Sequence, residues 1–491
     1  MTAPWSVHLS PRMADDLLRH LFPGDRDEHA AVLGVSVVRT GRGVRLLGRR
    51  LHLARDGVDY VPATRGYRML TPTFVRDRIL DCERNQLGYL AVHCHRGTDR
   101  VAFSTDDMNS HERGYPALLD ILDGAPVGAL VFARNAVAGD IWLPGGQRIM
   151  LDHARLLGSS IRQLRAAPPE AVLGDHTFDR QSRMFGDRGQ AALASQKVSV
   201  IGVGGAGSLV VEYLARLGVG HLVLIDPDRI DVTNLPRVVG ARTRDTRPWL
   251  THTRWPTRLR ALGERLATPK VMIARRVARQ ANPAIRVDVL HDDVTNDAAA
   301  EYLLDCDYLF LTADSAQARL VVNAIVHQYL IPGVQIGAKI QLDDRGDVTD
   351  VFSVIRPLHP GESCLWCNQL ISPARLQDEA LTPEQRRRQR YVANAAVHAP
   401  SVITLNAVAA AHAVDDYLLA TVGLIESDAE RRWTRYHPAA EQASDRAIPE
   451  QPRRDDACQE CGHAGRLGTG RGRRLPTRAT ARSRRAFTRR V

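Results

Sequence analysis

Ile201-Gly202-Val203-Gly204-Gly205-Ala206-Gly207-Ser208 is the stretch on which the reading of this 491-residue chain turns. It follows an apolar strand, Lys197-Val198-Ser199-Val200, and opens a helix-like stretch from Leu209 to Leu217. A glycine-rich turn at a helix N-terminus presents unpaired backbone N–H groups and a positive dipole end, so it can hold phosphate. A second apolar strand ends in Asp226-Pro227-Asp228, and an acid at that place can accept hydrogen bonds from ribose hydroxyls. Asn234-Leu235-Pro236-Arg237, Pro269-Lys270 and Asp314 follow in order. Arg237 and Lys270 can neutralise a triphosphate, and Asp314 can hold its magnesium. These charges point to phosphoryl chemistry. A nicotinamide-linked oxidoreductase would share the turn, but hydride transfer gives Lys270 and Asp314 no task.

The set resembles the ThiF/MoeB family, which includes the ubiquitin-activating enzymes, over about residues 176–425. The entry segment Arg180-Gln181-Ser182-Arg183, then Gly186 and Gly189-Gln190, resemble the family's beginning. The resemblance implies adenylation of the C-terminal glycine of a ubiquitin-like or sulfur-carrier protein. It implies an ATP–Mg2+ site from Gly202, Gly204, Gly205, Gly207, Asp226, Asp228, Asn234, Arg237, Lys270 and Asp314. It also implies a homodimer in which Arg183 reaches into a neighbouring subunit's site. Val238 stands where the family carries a glutamine after the arginine, which removes one polar phosphate contact. The bland alternative is a Rossmann-like domain with Asp226 and Lys270 as surface charges.

Length allows two to four domains, and the 44% apolar and 25% charged shares are those of an ordinary globular chain. No apolar run reaches the length of a membrane span, and Met1 to Asp15 lacks a signal-peptide pattern, so a cytoplasmic protein is expected. The net charge of +11 is concentrated: residues 466–491 hold ten arginines and no acid, leaving about +1 elsewhere. That composition reads as a disordered basic tail, with a solvated end favoured over a nucleic-acid contact.

Cys364-Leu-Trp-Cys367 and Cys458-Gln-Glu-Cys461 are two pairs at the ends of a long segment, a pattern suited to a tetrahedral structural Zn2+. ThiF-type proteins often carry such a site. His463 is an alternative fourth ligand, and an unstructured second pair is the other reading. Cys82, Cys94 and Cys306 read as core residues. No cysteine lies between Cys367 and Cys458 to form a thioester, so the chain either stops at the adenylate or passes it to another protein.

Nearer the N-terminus, His93-Cys94-His95 places two imidazoles on the same side of an extended segment, with Ser104 and Asp107 at a fixed gap beyond. Glu28 precedes an apolar stretch, Ala30 to Gly34, that reads as a strand continuing to Val38. This resembles the JAMM/MPN metalloprotease motif. The resemblance implies zinc on His93, His95 and Asp107, Glu28 as base toward the zinc-activated water, and Ser104 as oxyanion stabiliser. Arg96 takes the place of the motif's proline and brings a positive charge beside the metal. His29 reads as a partly exposed histidine without a role.

The expected fold is α/β: a Rossmann-like ThiF-type domain at residues 176–440, preceded by an α+β JAMM/MPN-like domain at residues 1–165. Residues 441–491 hold the second cysteine pair and the tail. Ala166 to Glu170 reads as a linker. Strand and helix alternate from Lys197 to Tyr329, which argues for a mostly parallel sheet under helices. Residues 239–268, with seven arginines and two tryptophans, read as a loop over the nucleotide, and residues 374–392 as a second insert. Ser401–Leu419 reads as the closing helix. Two functions compete. One is an activating enzyme fused to a zinc (iso)peptidase that processes or removes the modifier. The other is a regulatory scaffold with a nucleotide-responsive domain and an inert N-terminal half.

Overall fold

The computed structural model describes residues 3–62, 68–158, 160–169, 176–343, 345–380, 400–425 and 433–479. The strands in chain order are β1 (Trp5–Leu9), β2 (Ala30–Thr40), β3 (Gly43–Leu53), β4 (Gly88–Cys94), β5 (Val127–Phe132), β6 (Val137–Leu143), β7 (Gln147–Met150), β8 (His153–Leu157) and β9 (Ile161–Leu164). Among the described residues they form one mixed sheet in the order β7-β6-β5-β4-β2-β3-β1-β8-β9. β4 pairs antiparallel with β2 and parallel with β5, with Ala30 opposite His93. That register brings the start of β2, next to Glu28, against the metal-motif histidines. Helix Thr105–Ile121 packs beside β5. It runs for 17 residues despite Pro116, a length the patchy apolar pattern did not announce.

The second sheet contains β10 (Lys197–Ile201), β11 (His221–Ile225), β12 (Arg286–Leu290), β13 (Tyr308–Leu311), β14 (Gly333–Leu342), β15 (Val348–Leu358), β16 (Trp433–Tyr436) and β17 (Ala447–Glu450). Its order is β12-β11-β10-β13-β14-β15-β16-β17. The first five run parallel, and β15, β16 and β17 extend the sheet antiparallel. β11 is apolar on both faces because helices cover both: Leu222 and Leu224 enter one core and Val223 and Ile225 the other. Helices Gly205–Arg216, Lys270–Ala281 and Ile403–Val422 lie over one core, and Ala316–Gln328 over the other. This is a mixed α/β, Rossmann-like arrangement. The chain leaves β10 toward β11 and later returns to the other side of β10 as β13. That reversal of strand order opens a crevice at the strands' carboxyl ends.

The two sheets meet through a shared apolar cluster that joins Val38, Leu47 and Leu157 to Leu309, Leu311 and Ile325. Beside it the buried Asp307 receives Arg155 at 2.7 Å and Arg42 at 2.5 Å, with Arg45 at 3.6 Å.

Three expectations require correction. Residues 466–479 are not a floppy tail: Leu467 is buried, Gln328 donates to the Gly470 carbonyl, and Arg478 exchanges backbone hydrogen bonds with Thr295 and Asp297. Arg466, Arg471, Arg473 and Arg478 bond to fixed acceptors, which a count of charges does not register. Residues 480–491 of the expected tail lie outside the described residues. Residues 239–268 are not a plain loop but contain helices Pro248–Thr251 and Thr257–Leu266. His29 is buried, with its Nε2 3.0 Å from Asp25 Oδ1. Of the insert at 374–392, helix Pro373–Ala380 is described and the rest lies outside. No helix among the described residues is long and apolar enough to cross a membrane.

Candidate functional site

The glycine turn sits at the carboxyl end of β10, and three of its four glycines answer to a close contact. Gly202 takes φ +89° and lies against Ala313. A Cβ on Gly207 would collide with the Gly202 carbonyl oxygen, and one on Gly205 with the Asn406 amide. Gly204 is the N-cap of helix Gly205–Arg216, whose first N–H groups face the crevice. Asp226 ends β11 almost fully buried and accepts from the Val203 N–H at 2.7 Å and the Asp228 N–H at 2.8 Å. Burial raises its pKa, with Lys270 working in the opposite direction. The carboxylate thus fixes the turn as well as facing the site.

Lys270 opens helix Lys270–Ala281 and pairs with Asp228 at 2.8 Å. Asn234 is buried in a short 3-10 turn, bonded to Asp231, while its Oδ1 has no hydrogen-bond partner. The Arg237 side chain passes close to Gly205. Val238 packs with Ile230, Ala267 and Ile273, so an apolar contact takes the place of the missing glutamine. Asp314 is exposed just beyond β13, one residue after the Ala313 that touches Gly202. Arg183 is not brought to this turn: it is exposed and paired with Asp179 on its own helix at 2.8 Å. Asn406, on helix Ile403–Val422, also meets this turn; the available signal was a buried polar residue beside the helix's apolar run.

The four paired cysteines converge. Cys364 Sγ lies 3.5 Å from Cys367 and 3.9 Å from Cys458, and Cys367 lies 3.7 Å from Cys461. Zinc–sulfur bonds of about 2.3 Å at tetrahedral angles separate sulfurs by about 3.8 Å. Backbone N–H groups of Cys367 and Glu460 point at Cys364 and Cys458 sulfurs, as a thiolate cluster requires. The donor set fits zinc, and His463 is not in it.

A second cluster joins His93, His95 and Asp107. Their Nε2 atoms lie 3.2 Å apart, and each is about equally near Asp107, at 3.5 Å and 3.4 Å. His95 Nδ1 sits 3.1 Å from the Ala102 carbonyl, a contact that fixes the tautomer with Nε2 turned inward. Burial pushes the Asp107 carboxyl up, but hydrogen bonds from His93 and His95 outweigh it and hold the pKa far below the usual range. Glu28 Oε1 lies 4.0 Å from His95 Nε2, and burial raises its pKa. Ser104 caps helix Thr105–Ile121, and its hydroxyl donates to Asp107 at 2.7 Å. Its hydroxyl therefore orients the Asp107 carboxylate. Arg96 turns aside to the Arg26 carbonyl at 2.8 Å. Close by, His111 bonds the fully buried Asp140 at 3.0 Å, an arrangement the sequence did not disclose. Cys94 faces the opposite side, bonded to the Leu21 carbonyl.

Residues 178–460 match the ThiF family, and residues 1–177 lie outside that match. The tRNA threonylcarbamoyladenosine dehydratase of Escherichia coli (strain K12) is 34% identical over 182 residues, covering 36% of this chain and 60% of that protein. The sulfur carrier protein adenylyltransferase of Thermus thermophilus is 31% identical over 138 residues, covering 28% of this chain and 44% of that protein. The chain thus spans about half the length of these curated relatives. The crystal structure of E. coli MccB with MccA-N7isoASN superposes with a TM-score of 0.43 at 19% identity, over 59% of this chain and 76% of that one.

Proposed function

The chain belongs to the ThiF family, and on that premise we propose that it activates the C-terminal carboxylate of a ubiquitin-like or sulfur-carrier protein with ATP. The observation that carries the reading is the glycine turn flanked by Asp226, Asn234, Arg237 and Lys270, with Asp314 at the crevice rim. An acceptor carboxylate oxygen attacks the α-phosphorus of ATP, the bond to the β,γ-pyrophosphate breaks, and an acyl-adenylate and pyrophosphate result. Negative charge grows on the leaving pyrophosphate, where Arg237 and Lys270 stabilise it. Asp226 takes the ribose hydroxyls, and Asp314 would hold the magnesium. Arg183 is assigned to a neighbouring subunit of a cytoplasmic homodimer. Zinc on Cys364, Cys367, Cys458 and Cys461 serves structure.

The N-terminal half, residues 1–165, is assigned a JAMM-type (iso)peptidase activity on the same modifier. It rests on the convergence of His93, His95 and Asp107 with Glu28 beside them. Zinc there would supply a Lewis acid. Glu28 would hold the proton taken from the attacking water and hand it to the leaving amine. The test of the main reading is magnesium-dependent ATP–pyrophosphate exchange with a carrier ending in Gly-Gly, with tRNA as the competing acceptor. Exchange with tRNA and none with any carrier would replace the reading.

A further inference from the structure

Residues 239–268 lie between Arg237 and Lys270 in the chain and carry an exposed apolar face. Helix Thr257–Leu266 buries only Gly263. A Cβ there would press on Leu250 at 2.7 Å, so this glycine is where the helix meets the short helix Pro248–Thr251. Four residues cannot cover a ten-residue helix. Leu259, Leu262 and Leu266, spaced to share one face, remain 38%, 45% and 48% exposed, and Trp249 is 61% exposed. Trp255 donates its indole N–H to the Trp249 carbonyl at 2.8 Å, which holds the two tryptophans together. Exposed apolar side chains gathered in this way mark a surface with a partner.

The surroundings say what kind. The segment carries seven arginines against Asp245 and Glu264, a net +5 by subtraction. Arg242, Arg244, Arg254, Arg258 and Arg265 are exposed. Tryptophan and arginine around an apolar centre make a protein-binding composition. A nucleic acid would use the arginines and tryptophans but leave the leucine stripe uncovered.

The platform is also fixed to the site. Asp245 accepts from Arg276, on the helix that Lys270 opens, at 2.7 Å, and its carbonyl accepts from Thr268 at 2.9 Å. Arg229 holds the Ala267 carbonyl at 2.6 Å. Leu266 is four residues from Lys270, at most about 14 Å along the chain. A flexible C-terminal tail of about five residues spans that distance.

We propose that this insert is the docking surface for the acceptor protein, gripping an acidic face that surrounds an apolar patch while the acceptor's tail enters the crevice. The proposal rests on the adenylation reading for the identity of the acceptor. The full chain is tested with a fluorescently labelled ubiquitin-like sulfur carrier ending in Gly-Gly, at low and high salt. Polyuridylate and anionic phosphatidylglycerol vesicles are parallel probes. Two variants are compared, Trp249→Ala with Leu262→Ser, and Arg254→Glu with Arg258→Glu. Both should weaken carrier binding by about tenfold or more. In exchange assays both should raise KM for the carrier while leaving KM for ATP unchanged.

Carrier binding that is absent in the wild type, or equal in wild type and both variants, overturns the proposal. So does a loss confined to polyuridylate or vesicle binding, or a dimer-to-monomer shift in sedimentation without a change in carrier affinity. Exchange that persists with an unaltered carrier KM removes the docking surface and leaves adenylation standing. Insert-dependent binding without any exchange does the reverse.

Discussion

Arg155 Nη1 lies 2.7 Å from Asp307 Oδ1, and this contact joins β8 of the first sheet to the residue that precedes β13 of the second. Burial alone would raise the Asp307 pKa, but Arg155, Arg42 and Arg45 overcome it and bring it down to about 2. An unfolded aspartate titrates at about 3.9. A depressed folded pKa contributes stability that is complete above the unfolded value and is lost as pH falls through the folded one. Acid unfolding should therefore show a step between about pH 4 and pH 2 that Asp307→Asn removes. The variant leaves three guanidiniums uncompensated, and at neutral pH should lose about 3–5 kcal/mol in denaturant titration. An unchanged midpoint would show that the cluster does not hold the two sheets together.

In the proposed mechanism Lys270→Ala removes the charge that faces the departing pyrophosphate. Exchange should fall on the order of 100- to 1,000-fold, with the fold intact by circular dichroism. Asp314→Ala should need more magnesium to reach its maximal rate. Full exchange in both variants would dismiss the assigned mechanism.

Metal analysis of the full chain should find about one structural zinc bound by the four cysteines. Cys461→Ser should lose it. The segment beyond residue 462 should then become more open to proteolysis, because the bonds from Arg49 to its His463 and Leu467 carbonyls are left to hold it without the cysteine anchor. A protease-resistant, zinc-free chain would count against the site.

A further zinc should depend on His93, His95 and Asp107, and His95→Ala should lose it. Glu28→Gln should retain the metal and abolish cleavage of a ubiquitin-like tail, since the ligands survive while the proton acceptor is gone. Cleavage that continues in Glu28→Gln would assign the base elsewhere.

By itself the sequence determined what depends on neighbours along the chain. The alternation from Lys197 to Gln328 came out as strands and helices within a few residues of expectation, because periodicity and glycine punctuation are local. Four cysteines, 94 residues apart in pairs, converge and Glu28 lies beside His95, whereas Arg183 stays away from the glycine turn. Motif spacing encodes a shared site even when the intervening fold is unknown. Tertiary structure alone decided what depends on distant partners. Asn406 reaches the glycine turn from a helix some 200 residues later, and Asp140 on β6 meets His111 of the helix packed on that sheet. Arg466, Arg471, Arg473 and Arg478 find acceptors on Gln328, Glu301, Gln459 and Gln317, although the same composition without those acceptors reads as disorder. Composition measures what a segment could bury alone, whereas packing depends on the acceptors that the rest of the chain brings to it.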